Sequence, residues 1–386
     1  MRPLRVAFVA LEALPLLRSG ASGAPGGAER QQVLLARELL ALGAEVSFVT
    51  FDADRRGTAP EIADGIEIHR ACAPDAGLPV VRFLYPRLTS IWGALDRAGA
   101  DVYYQRCAGM LTGVVAAFAR RRGRGFVFSS AHESDCDPAA LMVKNPRDRA
   151  LYFHGLSRAD AVVAQTEEQR RLFRERLGIE AEVVRNACPR RESRPTAPGR
   201  HVLFLAATRP WKRPEWFLEI ARAFPGVRFL MAGAPAPRGA HYARAIAAQA
   251  SAVPNVEWAG PVPPEAAARL VRDAILLVST SRAEGFPNTT LEAWAARRPV
   301  VSATDPDGCI AASGGGLVAP TLDGLVAAVG RALSDEEGLA AMGERGFAHA
   351  REHHDPRRCA GELLDVLLRA ANRRERAGDL AVEPAP

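Results

Sequence analysis

An α/β chain of two consecutive parallel-sheet domains is the fold class the sequence predicts, and three observations carry it. Short apolar runs alternate with segments whose apolar residues recur at helical spacing, as in βαβ units around a parallel sheet. The alternation breaks once, in a stretch rich in Pro, Arg and Ser, and then starts afresh. The chain has 386 residues, more than one domain of the usual ~150 residues would hold.

In order, "LRVAFVA" reads as a buried first strand. Glu12 and Pro15 interrupt the apolar run that would otherwise resemble a secretory signal. "GGAERQQVLLARELLALGA" is a helix closed by Gly43, and "EVSFVTF" is the next strand. "DVYYQR", "LTGVVAAFARRRG", "FVFSSAHE", "LYFHGLSRA", "DAVVAQT" and "EEQRRLFRERLG" continue the alternation, so residues 1–188 form one domain. Residues 189–200 have no periodicity and read as a linker. "HVLFLAA", "PEWFLEIARAFP", "VRFLMAG", "HYARAIAAQASA", "VEWAG", "PPEAAARLVRDA" and "ILLVST" restart it, giving a second domain over residues 201–358. An amphipathic helix follows over 359–376, and 377–386 read as a disordered tail. Ligands of such sheets bind beyond the carboxyl ends of the strands.

Composition excludes several classes. A net charge of +6 is modest for this length and does not argue for nucleic acid. The cluster "ARRRGRG" suits either an anionic membrane face or a solvated helix end. Six scattered cysteines without a CxxC pair make a disulfide framework or zinc site unlike this chain, and a reducing cytosol is the expected compartment. No uninterrupted apolar run is long enough to span a membrane. In "REHHDP", adjacent His353 and His354 on a helix do not face one site, so no metal is expected there.

The chemistry concentrates in "LLVSTSRAEGFPNTTLEAWAARRPVVSA". A strand ends at Thr280, a loop carries Glu284, Gly285, Phe286, Pro287 and Asn288, and a helix begins near Thr289, because proline is tolerated only at or before a first turn. Both Glu284 and Glu292 then line one cleft, and the amides near Asn288 and Thr289 form a helix N-terminus suited to a phosphate. A second reading competes for Glu292: Thr289-Thr290-Leu291-Glu292 fits a capping box. A second oddity is "TRPWKRPEWF". Arginine carries nearly every positive charge, and Lys144 and Lys212 are the only two lysines. An ammonium is a compact point charge where guanidinium is a planar fork, so Lys212 is a candidate for a position only an ammonium fits.

"SRAEGFPNTTLEAWAARRPVVSA" resembles the E-x7-E signature of the retaining GT-B glycosyltransferases of family GT4. Further segments fall in that family's order: "GGAERQ", "SSAHES", "ADAVVAQT", "VVRNACP", "LFLAATRPWKRPEWFLEIA", "VPNVEWAGPVPPEAAARLVRDA" and "GGGLVAP". The resemblance spans roughly residues 4–375. It implies a GT-B fold, two Rossmann-like domains facing a central cleft, with the last helix crossing back to the first domain. It implies roles as well. Glu292 would hold the nucleotide ribose and Glu284 the transferred sugar. Amides around Phe286, Asn288 and Thr289 would hold sugar and diphosphate. Gly26 and Gly27 would admit the diphosphate to the backbone, and His132 would touch the sugar near the reaction centre. Lys212 matches the family's diphosphate lysine. The arginine beside it is either Arg209, closer than the family spacing, or Arg213.

The implied function is retaining transfer of a hexose-type sugar from a nucleoside-diphosphate sugar to a hydroxyl acceptor: a glycan, a glycolipid or a small molecule. Neither metal nor other cofactor is implied. The expected partners are the nucleotide sugar, a carbohydrate or lipid-linked acceptor and an anionic membrane touched peripherally, with no nucleic acid. The expected location is the cytoplasm, including the inner membrane face. Two alternatives remain: another GT-B sugar-nucleotide enzyme such as an epimerase or phosphorylase, and a non-catalytic GT-B partner that binds carbohydrate.

Overall fold

The computed structural model describes residues 2–18, 25–78, 81–190, 199–236 and 239–380, and only the backbone of 375–380. The chain divides into two compact units, Met1–Ala187 together with Pro356–Pro386, and Cys188–Asp355.

In the first unit the strands are β1 Arg5–Val9, β2 Glu45–Thr50, β3 Glu61–Ala63, β4 Ile66–Arg70, β5 Val102–Arg106, β6 Gly125–Ser129, β7 Ala161–Ala164 and β8 Glu182–Val183. Their order is β3-β4-β2-β1-β5-β6-β7-β8. Neighbours run parallel except β3 and β4. The strands are apolar at nearly every position because both faces are covered. Val6, Phe8, Phe48 and Tyr104 enter the core on one face. Ala7, Val9, Tyr103 and Phe128 enter the core on the other.

The antiparallel β3–β4 hairpin was not anticipated. Asp64 and Gly65 join it with φ of 49° and 79°, the pair of positive angles a tight hairpin turn requires. The Asp-Gly pair is a turn signal that a search for βαβ units passes over.

The helix Pro356–Leu380 belongs to the first unit and packs on helix Gly27–Ala41 and on β6. It buries Leu363, Val366, Leu367 and Ala370. Gly125 permits the approach: a Cβ there would lie 3.0 Å from the Ala370 carbonyl. The helix begins three residues earlier than its periodicity suggested, since Pro356 suits a first turn. It also runs to Leu380, so residues 377–380 are helical rather than tail. Residues 381–386 of the expected tail, and 191–198 of the expected linker, lie outside the described residues.

The second unit has strands β9 His201–Leu205, β10 Phe229–Ala232, β11 Val256–Gly260, β12 Ala274–Ser279, β13 Val300–Ser302 and β14 Gly316–Val318. They pair parallel in the order β11-β10-β9-β12-β13-β14. The first strand of this unit therefore sits beside its fourth. The order reverses between β9 and β12, so connections leave that point in opposite directions and open a crevice.

Two buried histidines, one in each unit, have pKa values below the ordinary histidine value. His69 in β4 is pushed down by burial and by Arg97, against Glu67, which raises it. His201 in β9 is pushed down by burial, although its Nε2 lies 3.2 Å from the Leu270 carbonyl oxygen. Above the ordinary histidine value both are neutral folded and unfolded, and contribute nothing to the pH dependence. As pH falls through ~6.5, the unfolded chain takes up protons that the folded chain refuses, and stability drops by up to about 1.4 kcal/mol per pH unit per histidine. Urea midpoints should therefore decline from pH 7.5 to pH 5.5, and His69→Gln should remove about one proton's worth of slope. An unchanged slope in that variant would show that the buried ring is not the titrating group.

Candidate active site

Two loops leave the crevice of the second unit, one after β9 and one after β12. The first makes a short turn, with Lys212 N–H donating to Arg209 O at 2.9 Å, and ends at Arg213 in the left-handed region with φ of 45°. Arg213 then starts helix Pro214–Ala223. The second loop is tied to the first at two points. Thr280, fully buried, places its hydroxyl 2.6 Å from Lys212 O and 2.9 Å from Arg213 O. Arg282 N–H donates to Trp211 O at 2.8 Å. The tied loops bring Lys212 Nζ into an ion pair with Glu284 Oε1. Their side chains are 19% and 10% exposed, so the pair is shielded but reachable.

The two candidate arginines differ. Arg213 lays its guanidinium over the Trp216 ring at 4.1 Å, and burial followed by the charge of Arg282 lowers its pKa. Arg209 lies 5.0 Å from the Trp211 ring centroid, and its Nε is buried without a hydrogen-bond partner among the described residues. Arg209 stands in the same turn as Lys212.

After Glu284 the chain enters helix Asn288–Ala295 with Pro287 at its N-cap. Thr289 is therefore the second helical residue and Glu292 the fifth, so the capping-box reading of Glu292 fails: Thr289 does not occupy the capping position. Glu292 is half-buried, and Asn288 and Thr289 stand in the first turn, where a helix directs backbone N–H groups outward. Phe286 is buried with its ring 4.7 Å from His354. Trp294 anchors the helix by donating from Nε1 to Gly315 O at 3.0 Å.

The remaining candidates lie on the first unit. Gly26 is the N-cap of helix Gly27–Ala41, and its N–H donates to Glu29 Oε2 at 2.9 Å. That carboxylate occupies the space a Cβ on Gly26 would take, at 2.8 Å. Gly26 and Gly27 are exposed. His132 follows β6 and caps the short turn Glu133–Asp135. Its Nδ1 accepts the Ser134 N–H at 3.0 Å, which places the proton of the neutral ring on Nε2. Asp135 Oδ2 accepts N–H bonds from Ala131 at 2.8 Å and His132 at 3.2 Å. Burial pushes the Asp135 carboxyl up, while those amides and His132 pull it down.

The structure joins Lys212 to Glu284 and puts Arg209 in the same turn. Phe286, Asn288, Thr289 and Glu292 follow the same strand as Glu284. Gly26, Gly27 and His132 stand on the other unit. Thr280, Arg282 and Asp135 were missed; they act through backbone groups, and no spacing rule marks such ties. Among the described residues no group of three or more His, Cys, Asp or Glu could hold a metal.

Two parallel-sheet α/β units with these site loops define a GT-B-type glycosyltransferase fold. Residues 26–189 match the glycosyl transferase 4-like domain and residues 199–335 the glycosyl transferases group 1 model. The chain belongs to this GT4-type glycosyltransferase family. It is 28% identical over 417 residues to a D-inositol 3-phosphate glycosyltransferase of Acidothermus cellulolyticus, covering 95% of this chain and 84% of the relative. In structure it is similar to sucrose-phosphate synthase from Thermosynechococcus elongatus, with TM-score 0.78, 19% identity and coverage of 96% and 100%. It is also similar to Anabaena HepE in complex with UDP and glucose, with TM-score 0.71, 16% identity and coverage of 94% and 99%.

Proposed function

We propose that this glycosyltransferase moves a hexose-type sugar from a nucleoside-diphosphate sugar to a hydroxyl acceptor with retention at the anomeric carbon. The observation that carries the reading is the shielded Lys212–Glu284 pair, set at the crevice of the second unit and followed by the first turn of helix Asn288–Ala295. A cation and helical N–H groups in one place suit a diphosphate, and a carboxylate beside them suits sugar hydroxyls. HepE, similar in fold, binds UDP and glucose.

In this mechanism the bond between the anomeric carbon and the phosphate oxygen breaks. The acceptor oxygen bonds to the same face, and its proton passes to the departing phosphate. Negative charge grows on the diphosphate, where Lys212 and Arg209 are fixed to meet it. Glu292 holds the ribose, Glu284 holds the sugar hydroxyls, and Asn288 and Thr289 present amides to the phosphates. Gly26 and Gly27 leave room for the diphosphate on the first unit, and His132 donates from Nε2 to the sugar. The charge comes from side chains, so turnover should survive EDTA. The acceptor is a glycan, glycolipid or small molecule. Inositol phosphates and sugar phosphates lead the screen, since two relatives are named for phosphorylated compounds.

A thermal-shift panel of UDP, GDP, ADP and dTDP should show one nucleotide raising Tm by several degrees, and its sugar should then be consumed only when acceptor is present. Proton NMR of the product should show the donor's anomeric configuration. Inversion would overturn the mechanism. Consumption without acceptor would favour another sugar-nucleotide reaction.

A further inference from the structure

Four of the seven large apolar side chains exposed among the described residues fall in one stretch: Leu78 at 72%, Val81 at 51%, Leu84 at 60% and Tyr85 at 72%. They lie between Leu78 and Tyr85, with Tyr85 itself in extended backbone at φ −135° and ψ 126°. Val81 and Arg82 donate to Leu78 O at 3.1 and 2.8 Å, and Leu84 and Tyr85 donate to Val81 O at 3.0 and 3.1 Å. No residue of Phe83–Leu88 is buried. Two basic side chains make local contacts. The Arg147 guanidinium covers the Phe83 ring at 3.5 Å, and Arg87 donates to Pro74 O at 2.8 Å. The stretch is held at Phe83 and Arg87 and bare at Leu78, Val81, Leu84 and Tyr85.

Charge gives the occupant. The acids near this stretch are taken up by neighbours, Asp75 by Arg55 at 2.6 Å and Asp148 by Arg147 at 2.7 Å. Arg82, Arg87 and the exposed Lys144 set the sign of the surface. Met142, 44% exposed, lies two residues before Lys144. Both segments leave the carboxyl edge of the first unit's sheet, one after β4 and one after β6, as does His132.

We propose that this face seats the first unit on an anionic lipid bilayer. Leu78, Val81 and Leu84 enter the acyl boundary, and Arg82 and Lys144 meet lipid phosphates. The proposal deepens the transfer reading by favouring a lipid-linked acceptor, yet binding is measured with no donor or acceptor present. The two readings therefore fail separately.

The test is co-flotation of the full chain with phosphatidylcholine vesicles with and without a third phosphatidylglycerol. Flotation should require the anionic lipid and fall with salt. Leu78→Ser/Val81→Ser/Leu84→Ser and, separately, Arg82→Glu/Lys144→Glu should each weaken it at least about tenfold. The serine variant should keep the wild-type Tm and nucleotide-induced shift, because Leu78, Val81 and Leu84 are exposed, and the charge variant should keep the nucleotide-induced shift, because Arg82 and Lys144 lie on the first unit. Wild-type protein that stays with the soluble fraction, or a serine variant that floats as well as wild type, would overturn the proposal. Concentration-dependent dimers abolished by the serine variant, without flotation, would assign the face to a second copy instead.

Discussion

Lys212→Met is expected to lower kcat by about two to three orders of magnitude, the loss seen when one preorganised partner of a developing charge is removed. The fold holds Lys212 at three points. Thr280 holds its carbonyl, Arg209 O takes its amide, and Glu284 holds its ammonium. The Glu284 pair complicates any single substitution. With Lys212 gone, a carboxylate whose side chain is 10% exposed loses its counter-charge. Breaking a buried pair costs about 3–5 kcal/mol, and partial exposure brings this to about 1–3 kcal/mol. Stability loss and catalytic loss would then coincide. The double variant Lys212→Met/Glu284→Gln separates them. It removes both charges, so the urea midpoint should recover most of the loss. Turnover should stay at the level of Lys212→Met or below. Turnover that recovers together with stability would mean the pair is structural and the diphosphate is held elsewhere.

The parts of this site that were legible in the sequence are those encoded locally. The strand ending at Thr280, the loop Glu284–Asn288 and the helix after it are set by adjacent residues, above all Pro287, whose ring permits a first turn and nothing deeper. The double-sided apolar strands of both sheets were legible for the same reason. What was hidden depends on chain segments far apart. Lys212 and Glu284 meet because β9 and β12 are neighbours at the strand-order reversal, a fact of topology that no local pattern records. Thr280 joins the loops through a hydroxyl and two carbonyls, and carbonyls have no sequence signature. The Glu292 ambiguity had a different origin. The T-x-x-E pattern was present, but Pro287 took the N-cap and moved Thr289 into the helix. Arg209 and Arg213 likewise differ in their ring contacts and in one buried Nε, which their spacing does not record.

His132→Ala is expected to reduce kcat about a hundredfold while leaving affinity for the nucleoside diphosphate within about twofold of wild type. The argument rests on where the ring proton sits. A backbone N–H can only donate, so the bond from Ser134 makes Nδ1 the acceptor and leaves Nε2 as the donor of the neutral ring. The ring is steadied from behind, because Asp135 Oδ2 takes the amides of both Ala131 and His132 and thereby fixes the end of the loop after β6. A donor held this way strengthens a bond to a sugar oxygen without reorganising as the glycosidic bond opens. His132→Gln keeps an N–H of similar reach and should recover part of the loss, whereas His132→Phe keeps the ring shape and should not. Steady-state kinetics with the preferred donor, paired with a titration of its nucleoside diphosphate, separates the two effects. Loss of nucleotide affinity equal to the loss of kcat/KM, or activity in the phenylalanine variant matching that of glutamine, would remove His132 from the reaction centre and leave it a cap of the Glu133–Asp135 turn.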